Sequence, residues 1–224
     1  MQSLIYMSLI LLSFFCRTGN AQEWQQQSDR QQVQIYSQQT ANGIIKIKAT
    51  TRLTSRIGAL INLLHDTQRS QQWIDNIQKV EVLDRPAPNE AIVHSYFNGP
   101  FIISDRDMVT HSQINQDPQS LQVRIDIGDL GGEYVPINGY VRMKNVQGMW
   151  LISPLGNGII EIEYQGSADP AGNIPTWLAN STLLSSTERT FVQLRSLLVQ
   201  PQYQLAAPNF IEETQMANTT DSHF

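Results

Sequence analysis

The chain is short of cysteine, of charge and of clustered positive charge. Its one cysteine, Cys16, falls in an N-terminal apolar run, so the body of the protein has no disulfide, no thiol nucleophile and no thiolate metal ligand. Charged residues make up 16% of the chain, and 15 Lys and Arg face 20 Asp and Glu, for a formal charge of −5. The basic residues are scattered singly. Without a cluster to track a phosphate backbone, nucleic acid is excluded as a partner. The four histidines, His65, His94, His111 and His223, show no zinc-like spacing, and no metal is expected. There is no G-x-G-x-x-G, no P-loop and no G-x-S-x-G elbow. No cofactor and no catalytic residue is assigned.

What is present begins with a leader. Leu4 to Cys16 (LIYMSLILLSFFC) is almost unbroken apolar sequence, and Gly19-Asn20-Ala21 supplies the small residues of a cleavage site. Residues 1–21 therefore read as a secretory signal peptide cut after Ala21. As a membrane anchor the run is too short, since such a helix reaches about 20 Å into a core roughly 30 Å thick. Residues 22–200 are long enough for one domain with a sizeable core. Residues 201–224 have two prolines and little periodicity, and are expected to be a flexible tail.

Within the domain, Val33 and Ile35 alternate with Gln32 and Gln34, and Ile45 and Ile47 with Lys46 and Lys48. Two strands joined around Asn42-Gly43 follow, with glutamine on the solvent face. Leu53, Ile57, Leu60, Ile61 and Leu64 then recur at three and four, predicting an amphipathic helix that Thr54 or Ser55 can cap. A second helical piece is expected from Gln68 to Asn76. Period two returns in segments 79–83, 91–97, 107–116, 120–127, 139–145, 146–154 and 158–164, punctuated by turns such as Pro86-Ala87-Pro88-Asn89 and Leu155-Gly156-Asn157-Gly158. Strands in sequence with short connections predict an antiparallel meander and exclude a doubly wound parallel sheet. Pro175 suits a first helical position, and no Pro or Gly interrupts the chain to Val199, so a terminal helix about 37 Å long is expected. The fold class is α+β: a curved antiparallel sheet around a long C-terminal helix, with a short helical pair after the second strand.

That helix has to bury an apolar stripe. Trp177, Ser181, Leu184, Glu188, Phe191, Arg195 and Leu198 fall near one face, and Ser181 and Glu188 interrupt it. An unpaired buried carboxylate is costly, so this face is expected over a partly hollow space; the plain alternative is that it is core. Among the charges, Asp105 and Asp107 point to one side of a strand and Arg106 to the other. Asp169 precedes the long helix, where unsatisfied N–H groups stabilise an acid. Arg106, Arg142 and Asp169 are candidates for structural ion pairs that pin the sheet to the helix start, with ligand contact by at least one of them as the alternative.

Four segments occur in order: Trp24 followed by Val33-Gln34-Ile35-Tyr36; Ile103-Ser104-Asp105-Arg106-Asp107-Met108-Val109; Tyr140-Val141-Arg142 with Trp150; and the run from Asp169 to Asn180, DPAGNIPTWLAN. With these, the stretch from Trp24 to about Val199 resembles a START domain, the lipid-transfer branch of the helix-grip superfamily. The resemblance implies a tunnel between sheet and helix that holds a lipid, non-covalent binding or transfer, and no cofactor. The candidate cavity residues are then His94, Arg106, His111, Tyr140, Arg142 and Trp150 from the sheet, and Trp177, Ser181, Leu184 and Glu188 from the helix.

Steroid-transferring members place an acid and a base on neighbouring strands inside the tunnel. Those places here hold Ser95 and His111 or Ser112, so a sterol is not implied. The leader resembles that of bacterial, envelope-facing members and implies the periplasm of a Gram-negative bacterium. The implied partner is a hydrophobic small molecule or lipid, with transient contact with a membrane surface; nothing in the sequence sets an oligomeric state. An alternative of another class is a cyclase or hydrolase of the same superfamily acting on an aromatic or polyketide-like substrate, for which His94, His111 and Tyr140 are the only plausible acids or bases. A third is an interaction module with a vestigial cavity.

Overall fold

A computed structural model describes residues 23–99 and 103–213; the expected leader lies outside them. In chain order the elements are β1 (Gln25–Arg30), β2 (Val33–Gln39), β3 (Ile45–Thr54), α1 (Gly58–His65), β4 (Ile77–Asp84), β5 (Glu90–Phe97), β6 (Asp105–Gln116), β7 (Val123–Asp129), β8 (Tyr140–Arg142), β9 (Lys144–Gly156), β10 (Ile159–Asp169) and α2 (Thr176–Leu198). The strands form one sheet in the order β1-β2-β3-β10-β9-β7-β6-β5-β4, every neighbour antiparallel. Short β8 departs from the meander and runs parallel to β6, with Asp107 opposite Arg142. The expected strand at 139–145 is therefore two, β8 and the start of β9.

Alternation decides the faces. On β3, every second residue from Ile45 to Leu53 is buried. Leu53 thus belongs to the strand and not to the helix expected from its spacing: it pairs with Ile160 of β10, and a ladder position outweighs a helical period of one residue. The second helical piece is a 3-10 turn over Thr67–Gln72 that leads to buried Trp73. The Gln-rich opening adds a strand that alternation did not mark, because β1 is an edge strand with almost no buried residue.

The core is filled at one end and open at the other. α1 and the C-terminal part of α2 (Phe191, Leu194, Leu197, Leu198) pack with β2, β3 and β10 into a continuous apolar cluster. Residues 201–213 complete this end, which corrects the expected flexible tail. Tyr203 and Ile211 are buried, and the Tyr203 hydroxyl donates to Asp66 at 3.1 Å. The Glu213 carboxylate accepts from the backbone N–H groups of Ile57 and Gly58 at 3.1 and 3.0 Å. Neither Thr54 nor Ser55 caps α1, so its first N–H groups need an outside acceptor, and the tail brings one. Residues 214–224 lie outside the described part.

Candidate functional site

Beneath the N-terminal half of α2, the sheet curves away and leaves a cavity of about 440 Å³. Its floor is the inner face of β4 to β6. Register puts Ala91, Val93, Ser95 and Phe97 of β5 on one side of the sheet, with their β6 partners Ser112, Thr110, Met108 and Arg106, and all of these line the cavity. On α2 the lining residues include Ala179, Leu183, Ser186, Thr187 and Thr190, a single face at helical spacing. The polar ones are tied down. Thr187 donates to the Leu183 carbonyl at 2.8 Å, Ser186 donates to Asp75 at 2.7 Å, and the Thr190 hydroxyl accepts from the Asp75 backbone N–H at 3.0 Å. Volume and lining suit a small apolar ligand, for which sites of roughly 300–1,000 Å³ are usual.

Aromatic residues separate the cavity from the filled core. Trp150 stacks on Phe191 with centroids 5.7 Å apart and tilts against Tyr164 at 4.7 Å. Burial pushes the Tyr164 phenol up to about 12, and its hydroxyl makes no hydrogen bond among the described residues. At one end of the cavity lies Arg106, 5% exposed. Its Nε donates to the Pro170 carbonyl at 3.2 Å, Nη2 to the Ala171 carbonyl at 3.1 Å, and Nη1 to the Ser104 carbonyl. Burial pulls this guanidinium below its ordinary value, with the field of Asp105 opposing.

The other face of the same strands carries a separate polar cluster. Asp107, 1% exposed, accepts from Arg142 Nη2 at 2.7 Å and shares a 2.7 Å contact with His94 Nε2. The Tyr96 hydroxyl lies 2.9 Å from both His94 Nδ1 and Glu81 Oε2. Burial, then the hydrogen bond to Glu81, pushes the Tyr96 phenol up to about 12. Burial alone would raise the Asp107 carboxyl, but the hydrogen bonds from Arg142 and His94, with their charges, outweigh it and hold the acid below the usual carboxylate range. Arg142 also donates to the carbonyls of Gly131 and Tyr134, fixing the loop that leads into β8.

These positions correct several sequence-based expectations. Of the candidate cavity residues, Arg106 and Trp150 lie on the wall. His94, His111, Tyr140 and Arg142 lie on the opposite face of the sheet, since each shares register with Asp105, Asp107 or their alternates. His111 pairs there with Glu90 at 3.0 Å, and Tyr140 donates to Gln78 at 2.6 Å. On α2 the expected face is rotated by one residue, about 100°. Trp177 is 71% exposed, Ser181 is exposed, Leu184 packs against the core, and Glu188 accepts from Ser28 of β1 at 3.0 Å. The expected pairing of an arginine with Asp169 is replaced. Arg106 reaches the carbonyls that follow Asp169, while the Asp169 carboxylate accepts from the Ala171 N–H at 2.8 Å. Arg142 pairs with Asp107 instead.

Sequence reasoning missed Tyr164, Thr110 and the face formed by Ala179, Leu183 and Thr187. Two signals point to Thr110 and to the helix face. Counting back in fours from Phe191 gives 187, 183 and 179, and counting in twos from Arg106 gives 108, 110 and 112. Among the described residues no group of three or more metal-ligating side chains converges, and no helix is long and apolar enough to cross a membrane.

The family model described as START domain matches residues 14–200. An uncharacterised protein of Pseudomonas aeruginosa is 26% identical over 200 residues, covering 88% of this chain and 98% of its own. Among solved structures, a fragment of a STAR-related lipid transfer protein from Xanthomonas axonopodis superposes with a TM-score of 0.72 at 24% identity, over 79% of this chain and 99% of that one. Human STARD10 superposes with a TM-score of 0.69 at 20% identity, over 79% of this chain and 73% of its own. At these identities the two structures bear on the fold, and both support a sheet closed around a C-terminal helix.

Proposed function

This chain belongs to the START domain family, and we propose on that premise that it binds a hydrophobic small molecule, a lipid or fatty-acyl molecule, and carries it unchanged. The observation that supports this reading is the apolar cavity of about 440 Å³ between α2 and the inner face of β4 to β6. Burial of acyl chain is worth about 0.8 kcal/mol per CH₂, so a sixteen-carbon chain gains roughly 10 kcal/mol before ordering costs. Few polar contacts are needed. The cyclase or hydrolase alternative relied on His94, His111 and Tyr140, and these face away from the cavity.

Two further parts of the proposal concern place. Export is supported by the run from Leu4 to Cys16 and by Gly19-Asn20-Ala21, and the chain is proposed to work in the periplasm. Transient contact with a membrane surface is supported by Trp177, exposed in the first turn of α2 beside the cavity end at Ile174 and Asn180. Native mass spectrometry of protein purified from its host tests the carrier reading: a discrete lipid adduct is expected. Recovery without adduct, together with failure to take up a fluorescent fatty acid, would overturn it. N-terminal sequencing tests export, with Gln22 as the expected first residue; protein that keeps Met1 in the cytoplasm would overturn that part.

A further inference from the structure

Buried charges in proteins are normally paired, because an ion removed from water loses several kcal/mol of solvation. On the cavity wall this rule holds for the acids. Asp75 and Asp66 are only half-buried, yet Asp75 lies 2.7 Å from Arg189 and Asp66 lies 3.5 Å from Arg69. It fails for Arg106. Among the described residues no carboxylate stands within 4.0 Å of this guanidinium, although it is almost fully buried; Asp105 acts on it only at longer range, from the other face of β6, and is itself engaged by Gln78 and the Gly99 N–H. The segment between the described residues 99 and 103 is Pro-Phe-Ile and brings no carboxylate.

The three carbonyls that Arg106 meets use one N–H each of Nε, Nη1 and Nη2. A guanidinium has five N–H donors, so one remains on each terminal nitrogen. Carbonyl dipoles orient the fork but do not cancel its charge, and arginine does not escape by losing its proton. A second polar group stands one step away. Phe97 is the direct partner of Arg106 across β5, and Ser95, two residues further along the same inner face, sits at the diagonal position, where Cβ atoms lie about 7–8 Å apart. Ser95 is buried, lines the cavity, and its hydroxyl makes no hydrogen bond among the described residues. Beyond Ser95 the wall continues through Val93 to Ala91, about 13 Å of strand at ~3.3 Å per residue.

We propose that the ligand is a lipid with an anionic head, a carboxylate or a phosphate, seated on Arg106 and Ser95 with its chain laid along β5 and β6. The two free N–H groups of the fork donate to two oxygens of either head, and the anion supplies the counter-charge that the protein omits. This inference rests on the carrier reading above.

The test compares ligands that differ only in the head, on the purified full chain: hexadecanoate, hexadecyl phosphate, and methyl hexadecanoate as the neutral control. At least one anionic probe is expected to bind ten-fold or more tightly than the methyl ester, and the tighter of the two identifies the source. In Arg106→Met the preference is expected to fall to about two-fold or less, and in Ser95→Ala to weaken. Equal binding of acid, phosphate and ester to the unmodified chain would overturn the anionic head and leave the carrier reading standing. Failure of all three to bind would overturn both. An unchanged preference in folded Arg106→Met would overturn the assignment to Arg106. If that variant does not fold, the comparison in the unmodified chain and in Ser95→Ala decides.

Discussion

The Tyr164 phenol lies along its own strand over Gly166, so closely that a β-carbon at 166 would fall 2.3 Å from the tyrosine hydroxyl. Gly148 stands directly across from Gly166 on β9, and a β-carbon there would meet the Tyr164 ring at 3.5 Å. The facing glycines make the hollow in which the ring lies flat. That ring abuts Trp150, which stacks on Phe191 of the long helix, so the two glycines indirectly set where the filled core stops and the cavity begins.

Gly166→Ala is therefore expected to push Tyr164 off its site and to destabilise by about 1–3 kcal/mol, the usual range for an overpacked position. A urea melt measures this. In the background of Tyr164→Ala the same substitution should cost little, giving a coupling of at least 0.5 kcal/mol in the double-mutant cycle. Additive effects would show that the ring does not rest on Gly166.

Ala171 has φ 51, in the left-handed region, at the turn where β10 gives way to α2. An L-residue there costs roughly 1–2 kcal/mol, and glycine removes the strain while adding about 0.4–1 kcal/mol of unfolded-state entropy. Ala171→Gly is expected to stabilise by about 0.5–1 kcal/mol, a rise of roughly 1–4 °C in Tm. A lowered Tm would place the strain elsewhere.

Asp107 makes the fold acid-sensitive. Its folded carboxyl titrates below the unfolded value near 3.9, so its contribution is complete above that pH and is lost as pH falls through the lower folded value. Asp75, held down first by its hydrogen bond from Arg189, acts with the same sign. Asp107→Asn leaves Arg142 buried beside a neutral partner and is expected to cost about 3 kcal/mol at pH 7. Urea midpoints at pH 7, 5, 4 and 3 should show the gap between variant and unmodified protein closing only below about pH 4. A gap independent of pH would mean that shape, not charge, is what Asp107 supplies.

The rotated face of α2 yields the simplest probe of the cavity. Leu183 lines it and Leu184 does not. Leu183→Trp is expected to weaken fluorescent fatty acid binding ten-fold or more while far-ultraviolet circular dichroism stays constant. Leu184→Trp should leave affinity within about two-fold. The reverse result would return the helix to the orientation expected from its sequence.

That reversal shows what local pattern can and cannot give. Most of the strands and the long helix were legible, its start to within one residue of the expected Pro175, because period-two alternation and the proline signal are written in adjacent residues. The helix face was not: its two adjacent apolar stripes, one through Leu184 and one through Leu183 and Leu194, differ by one residue, and only the sheet opposite chooses between them. Parity, by contrast, was available. Arg106 and His111 are five residues apart on one strand, and an odd separation forbids both from facing the same tunnel. Arg142 was recognised as half of an ion pair, but its partner Asp107 lies on a strand reached by parallel pairing of β8, which no local signal announced. The tail reads as loose because it has two prolines and little periodicity; the burial of Tyr203 and Ile211 depends on a surface of α1 formed far earlier in the chain.

The contact between Glu213 and the first N–H groups of α1 also orders events in time. It joins positions separated by 156 residues, and β3 likewise waits for β10 before its second edge is paired. During synthesis, nothing emitted before the last strand and the tail can complete α1 or seal β3, however long the ribosome takes. The chain is consequently a late folder, dominated by closures between distant segments that make such topologies slow. Its early half leaves the ribosome with helical donors and a strand edge still unsatisfied, in a state that a holding factor can engage.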